Sequence, residues 1–289
     1  MPNFTFSAIC DIILKTEFQT EVIMIEIKNL PYEIYKVVKD QPYKTDSIGE
    51  SDSTVLLFED MVLKIEKTSA QSDNEHGVMQ WLSGKLPVPK VIAFAQENGY
   101  NYLLMSRLSG EMSCSDRNLQ SIEDTVITLA DGIKMLWSVD ISDCPYFNNL
   151  DVKLKNAKHN IENALVDTGD FNEDTLGEGG FKDVDELYDF LLNNRPEEDL
   201  VLSHGDYCLP NIFLKDGKVS GFLDLGKTGV ADRWQDIALC VRSLKYNICD
   251  WFGLEEKVYE EYMALFYSRL GIEEDAQKLR YYILLDELF

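Results

Sequence analysis

Apolar and polar positions alternate in two regimes along this chain. In the first third the strand-like runs 55–58 and 61–65 flank the polar pair Glu59 and Asp60, which predicts a hairpin. Glu75, Val78, Met79 and Leu82 then fall at i, i+3, i+4 and i+7, which predicts a helix with Glu75 on its inward face. Pro87 and Pro89 stop that helix. Two further strands are predicted at 91–95 and 102–105, split by a turn at Glu97, Asn98 and Gly99. Beyond them the helical period dominates. Helices are predicted at about 122–138, 150–165, 184–193, 232–245, 255–270 and 273–288, with Gly271 as a C-cap between the last two. One short hairpin interrupts them: a strand over 211–215, the turn pair Asp216 and Gly217, and a strand over 218–224. The predicted class is α+β, with a β-rich N-terminal lobe over 24–105 and a mainly helical lobe over 106–289. Residues 1–23 read as an N-terminal extension of unassigned role, and Met1 and Met24 are both candidate starts.

Composition narrows the function. The chain has 289 residues, of which 27 are Lys or Arg and 51 are Asp or Glu, giving a formal charge of −24. Its 45% hydrophobic content excludes a disordered chain. Such acidity speaks against nucleic acid or anionic membranes and suits a small cationic partner. No window reaches the length of apolar sequence that a membrane span needs. The N-terminus lacks a basic region before its apolar patch and meets Asp11 early, so no signal peptide is read there. Six cysteines without a CxxC pair imply free thiols and a cytoplasmic setting, and three scattered histidines argue against zinc. The acid is uneven: residues 162–199 carry 13 acidic and 2 basic side chains. That run is either a solvated helical face or a cation-binding loop.

The second hairpin fixes a geometry. Its ends bring Asn211 and Asp224 together, with Asp206 just before them in the run VLSHGD. Two carboxylates and an amide oxygen suit Mg²⁺, which takes hard oxygen ligands. The order H-G-D-x-x-x-x-N, followed by D-L-G, is that of protein-kinase-like phosphotransferases, and it predicts a bilobal fold of that type. Lys64 lies in the strand MVLKI, and Glu75 lies on the inward face of the next helix, so the two are expected to pair and to aim the ammonium at nucleotide phosphates. The segment IGESDST takes the place of a phosphate-covering loop, with only Gly49 of the expected glycines and with Ser51 or Ser53 as hydroxyl donors. Only residues 227–231 separate D-L-G from the next predicted helix, and no A-P-E follows. A protein substrate is therefore not expected.

At this point the sequence resembles the aminoglycoside 3′-phosphotransferases (kanamycin kinases). The resemblance is carried by WLSGKLPVPKV (81–91), VDISDCPY (139–146), ELYDFL (186–191), the long block 195–244 around the hairpin, and the terminal YYILLDELF (281–289). It implies transfer of the γ-phosphoryl of ATP or GTP to a sugar hydroxyl, and antibiotic resistance. Asp206 would be the catalytic carboxylate, and Asn211 and Asp224 the Mg²⁺ ligands. Lys64 and Glu75 would serve the phosphates, Ser51 the nucleotide loop, and Met105 the hinge against the base. Glu173, Asp174, Arg242, Asp286, Glu287 and the carboxylate of Phe289 would line the aminoglycoside site. The partners implied are a nucleotide and a small cationic substrate, bound by a monomer or weak dimer. Three departures bear on the drug spectrum: Lys227 where arginine is common, Tyr246 where an acid is expected, and the inserted GEGG at 177–180. Two alternatives stay open, a related kinase acting on another cationic alcohol or sugar, and a catalytically silent nucleotide-binding module.

Overall fold

A computed structural model describes residues 26–46, 53–172, 174–177 and 179–289. The extension over 1–23, Ser51 with most of its loop, and Glu173 lie outside the described residues. The N-terminal part begins with helix α1 (Tyr32–Val38), which the hydrophobic pattern did not reveal. Strands β1 (Lys44–Asp46), β2 (Thr54–Leu57) and β3 (Met61–Lys67) precede helix α2 (Ala70–Leu82), and β4 (Val91–Glu97) and β5 (Tyr100–Ser106) follow it. They form one antiparallel sheet in the order β1-β2-β3-β5-β4. The β4–β5 turn is made by Asn98 and Gly99, both at positive φ, as a tight primed turn requires. Helix α2 starts earlier than its apolar spacing predicts because Ser69 and Ser72 form a reciprocal capping box. Its inner face is the expected one: Glu75, Val78, Met79 and Leu82 are all buried.

The C-terminal part is mainly helical. Strand β6 (Glu111–Met112), the short helix α3 (Asp116–Leu119), α4 (Ile122–Trp137), α5 (Leu150–Glu162) and α6 (Val184–Asn193) lead to β7 (Leu200–Ser203). The hairpin β8 (Ile212–Lys215) and β9 (Lys218–Phe222) turns at Asp216 and Gly217, both at positive φ. Strand β10 (Gly229–Asp232), α7 (Trp234–Lys245), α8 (Glu256–Leu270) and α9 (Ala276–Asp286) complete the chain. Gly271 ends α8 at φ 78°, as its C-cap reading requires.

Three expected boundaries move, each for a local reason. Asp232 does not open a helix. Residues 229–232 are buried and pair with β7, and α7 begins only after the Asp232 side chain has accepted the Trp234 N–H. Helix α9 starts at Ala276 because the Asp275 side chain accepts from the N–H groups of Gln277 and Lys278. Asn211 and Asp224 lie just outside the hairpin strands, although the Leu223 N–H still bonds the Asn211 carbonyl at 2.9 Å. After α7 the backbone widens into one stretch of π-helix, Tyr246–Trp251, which no periodicity signals.

Two apolar clusters hold these parts. The smaller one joins Ile34 and Val38 of α1 to Leu56, Leu63, Ile65 and Leu104 of the sheet. The larger fills the helical part and also takes in Val78, Met79 and Leu82 of α2 with Leu103 and Met105 of β5. Helix α2 thus ties the sheet to the helices, and it carries Glu75 to the junction. Each fully buried leucine there contributes about 2 kcal/mol.

Candidate active site

The backbone around Asp206 is fixed by a residue the sequence reading did not single out. Asp236, on α7, is fully buried. Its carboxylate accepts from the N–H of His204 at 2.8 Å, the N–H of Gly205 at 2.9 Å and the hydroxyl of Ser203 at 2.9 Å. Burial pushes the Asp236 carboxyl up from its usual value, and the three donors with His204 work against that rise. Gly205 adopts φ 83°, and a Cβ there would stand 2.1 Å from the Lys227 carbonyl oxygen, so only glycine fits. His204 is itself fully buried, edge-on to Tyr207 and beside Phe222, and its Nδ1 accepts the Asp206 N–H at 3.3 Å. It supports the loop rather than entering the cleft. Tyr207 anchors the other side by donating to the Leu129 carbonyl at 2.8 Å.

Asp206 is held at both carboxylate oxygens. Asn211 Nδ2 donates to Oδ2 at 3.0 Å, and the Cys208 thiol donates to Oδ1 at 3.2 Å. Asn211 Nδ2 also reaches the Asp206 carbonyl at 3.0 Å, which commits both of its amide protons. Its amide oxygen is thereby presented as an acceptor.

Across the cleft, Lys64 Nζ lies 2.8 Å from Glu75 Oε2, 3.2 Å from Asp224 Oδ1 and 3.3 Å from Glu66 Oε2. Burial alone would lower the lysine's pKa, but the three carboxylates outweigh it and raise it above its ordinary value. The effect on Asp224 is reciprocal. Burial would raise its carboxyl, yet Lys64, with His204 and Lys227, holds it below the usual range. The second oxygen of Glu75 accepts the Leu225 N–H at 3.2 Å, so one side chain ties Lys64, α2 and the D-L-G turn together. Asp224 stands at φ 55°, a left-handed conformation uncommon outside glycine, as it turns from β9 toward that cleft. Lys64, Glu66, Glu75, Asp206, Asp224 and Lys227 line one cleft between sheet and helices. Met105 is buried at the end of β5, where the chain leaves the sheet.

The predicted substrate residues are distributed less uniformly. Arg242 Nη2 donates to Asp286 Oδ2 at 2.5 Å, so this pair is already closed on itself. Glu287 Oε1 accepts from both the backbone and the side-chain amide of Asn172, while its Oε2 is buried and has no partner among the described residues. Asp174 is exposed and pairs with Arg280 at 3.4 Å. Phe289 is partly exposed at the chain end. The inner partners of Asp286 and Glu287 account for part of the acid at this helix end without any ligand.

The donor set suits Mg²⁺. Asn211 offers an amide oxygen and Asp224 a carboxylate, and a cation with so few protein ligands completes its shell from phosphate oxygens and water. Among the described residues no group of three or more His, Cys, Asp or Glu side chains could hold a metal.

A carboxylate fixed by its neighbours, facing a lysine fixed by a helix glutamate and a D-L-G aspartate, defines a phosphotransferase of the kinase-like class. The model of a phosphotransferase enzyme family matches residues 43–280. The chain is 44% identical over 272 residues to an aminoglycoside 3′-phosphotransferase of Staphylococcus aureus, covering 91% of this chain and 97% of that one. A counterpart from Enterococcus faecalis is 45% identical, with the same coverage. Among solved structures, an aminoglycoside-3′-phosphotransferase of type VIII superposes with a TM-score of 0.74 at 24% identity, over 89% of this chain and 98% of that one. The chain belongs to the aminoglycoside 3′-phosphotransferase branch of that phosphotransferase family.

Proposed function

We propose that this protein transfers the γ-phosphoryl group of ATP or GTP to the 3′-hydroxyl of aminoglycoside antibiotics and so confers resistance. The observation that carries this reading is the cleft in which Asp206 faces the Lys64–Glu75–Asp224 cluster. Lys64, aimed by Glu75, holds the α- and β-phosphates. Asn211 and Asp224 would hold Mg²⁺, which would supply charge neutralisation for the transferred phosphoryl group. Asp206 accepts the hydrogen bond of the acceptor hydroxyl and orients its oxygen for in-line attack. The transition state of such transfers is loose, so orientation and charge neutralisation supply most of the rate. Met105 marks the hinge against the base, and Ser51, outside the described residues, is proposed for phosphate contact.

Acidic groups near the chain end receive the cationic substrate. Glu287 supports this part of the reading, since its buried Oε2 has no partner among the described residues and an ammonium would supply one. Asp286, oriented by Arg242, and the Phe289 carboxylate complete the receiving face, with Glu173 and Asp174 on the acidic loop. The lobes divide near residue 105, with 24–105 serving nucleotide and 106–289 the acceptor. Five described cysteines are unpaired, which suits the cytoplasm, and a monomer or weak dimer suffices for the chemistry. Among the described residues no helix is long and apolar enough to cross a membrane.

The test is a coupled nucleotide-consumption assay with an untagged C-terminus. Mg-ATP and Mg-GTP are each offered with kanamycin and with its 3′-deoxy analogue tobramycin. Turnover with kanamycin alone is expected, and Asp206→Ala should abolish it while nucleotide binding persists. Turnover of neither drug, with turnover of another cationic alcohol, would move the substrate to that class.

A further inference from the structure

Lys153 is a buried cation that the phosphotransfer chemistry described so far does not use. It lies on the inward face of α5 with Leu150, Leu154 and Ala157, and its relative exposure is 3%. Among the described residues it makes no ion pair. Its Nζ instead lies 5.2 Å from the centroid of the Phe289 ring. The charged groups that act on it are the carboxylates of Asp286, Asp236 and Asp206 and the ammonium of Lys227. Burial lowers its pKa to about 8, more than the carboxylates restore. An unpaired charge in this position costs stability, and a ligand-binding duty would explain its presence.

The same helix holds the chain end a second time, since Asn160 Nδ2 donates to the Leu288 carbonyl at 2.9 Å. Arg242 holds Asp286, and Asn172 holds Glu287. Among the described residues no polar side chain anchors Phe289 by a hydrogen bond. Its backbone N–H reaches the Asp286 carbonyl at 3.2 Å, and its ring meets Lys153.

We propose that Lys153 is a positioning residue for the aminoglycoside site, its ammonium fixing the ring of Phe289 so that the terminal carboxylate faces the substrate. A cation on an aromatic face in a desolvated setting is strongly attracted to it. The proposal rests on the reading that the chain end receives the aminoglycoside.

The experiment measures both Michaelis constants for untagged wild type, Lys153→Met, Lys153→Arg, Phe289→Ala and the Lys153→Met/Phe289→Ala double variant, with kanamycin and Mg-ATP. Lys153→Met should raise the kanamycin constant roughly tenfold and leave the nucleotide constant unchanged. Lys153→Arg, which keeps the cation, should restore most of the loss. In the Phe289→Ala background the methionine should have no further effect, because the contact is already gone. Unchanged kanamycin binding in Lys153→Met, a parallel rise in both constants, or additive effects in the double variant would each overturn the proposal. Absence of kanamycin turnover by the wild type would overturn the functional reading and this inference with it.

Discussion

Lys153→Met should make the protein more stable while making it a poorer enzyme. The lysine ionises at about 8 in the fold against 10.5 in the open chain. At pH 7 both states are protonated, and the difference corresponds to a cost of about 3 kcal/mol for keeping the charge buried. Methionine has similar volume and no charge to desolvate, so the cavity term is small. The expected gain is a melting temperature higher by roughly 5–10 °C. The pH dependence gives the sharper check. Between pH 8 and 10.5 the folded lysine releases its proton while the unfolded one keeps it, so wild-type stability rises with pH across that window. The advantage of methionine should then shrink to about 1 kcal/mol at pH 9.5 and vanish near 10.5. Urea unfolding of both proteins at pH 7 and 9.5 measures this directly. Equal stability at pH 7, or a difference that does not change with pH, would refute the assignment of Lys153 as a costly buried charge.

Three further outcomes follow from the site. Glu75→Gln keeps the shape but removes the charge that pairs Lys64, and kcat/KM for nucleotide should fall roughly 30-fold; an unchanged value in steady-state kinetics would show that Asp224 orients the lysine alone. Asp236→Ala leaves three buried donors without an acceptor and should lower stability by about 3 kcal/mol or more in urea unfolding, with Asp236→Asn milder; a neutral effect would mean water replaces the carboxylate. Gly205→Ala forces both a left-handed backbone and a clash with the Lys227 carbonyl, and should cost at least about 3 kcal/mol; wild-type melting behaviour would show that the loop can open without loss.

The candidate site residues were legible because they sit in short contiguous runs with fixed spacing. Asp206, Asn211 and Asp224 belong to one loop and the hairpin it enters, and the helical spacing of Glu75 with Val78, Met79 and Leu82 marks it as inward-facing. Asp236 was not legible. Its meaning depends on contact with residues more than thirty positions away, and in the sequence it is one acid among many. Strand β10 was missed because four buried residues cannot be told from the start of a helix without their partner β7. The π-helical turn after α7 has no composition of its own. Lys153, by contrast, was open to view. Leu150, Lys153, Leu154 and Ala157 repeat the i, i+3, i+4, i+7 spacing that exposed Glu75.

That shared spacing separates the two sides of the site. Both Glu75 and Lys153 are charges placed on inward helix faces, where folding alone would prefer an apolar residue. Glu75 is satisfied within the protein by Lys64 and the Leu225 N–H. The proposed nucleotide side is therefore assembled within the protein itself, as transfer chemistry that depends on positioning requires. Lys153 meets an aromatic face and makes no ion pair among the described residues, and Glu287 Oε2 has no partner among them. On the proposed acceptor side one carboxylate oxygen is left without a partner among the described residues. An unpartnered carboxylate oxygen costs stability when the site is empty, but it leaves negative charge free for a ligand bearing ammonium groups, whereas the Lys153 cation would repel them and serves the Phe289 ring instead. A fully paired pocket would first have to break its own ion pairs to admit such a substrate, and would lose affinity by that amount. On this view the unpartnered Glu287 oxygen marks the proposed substrate side more clearly than the number of acids does, because Asp174 and Asp286 already have partners.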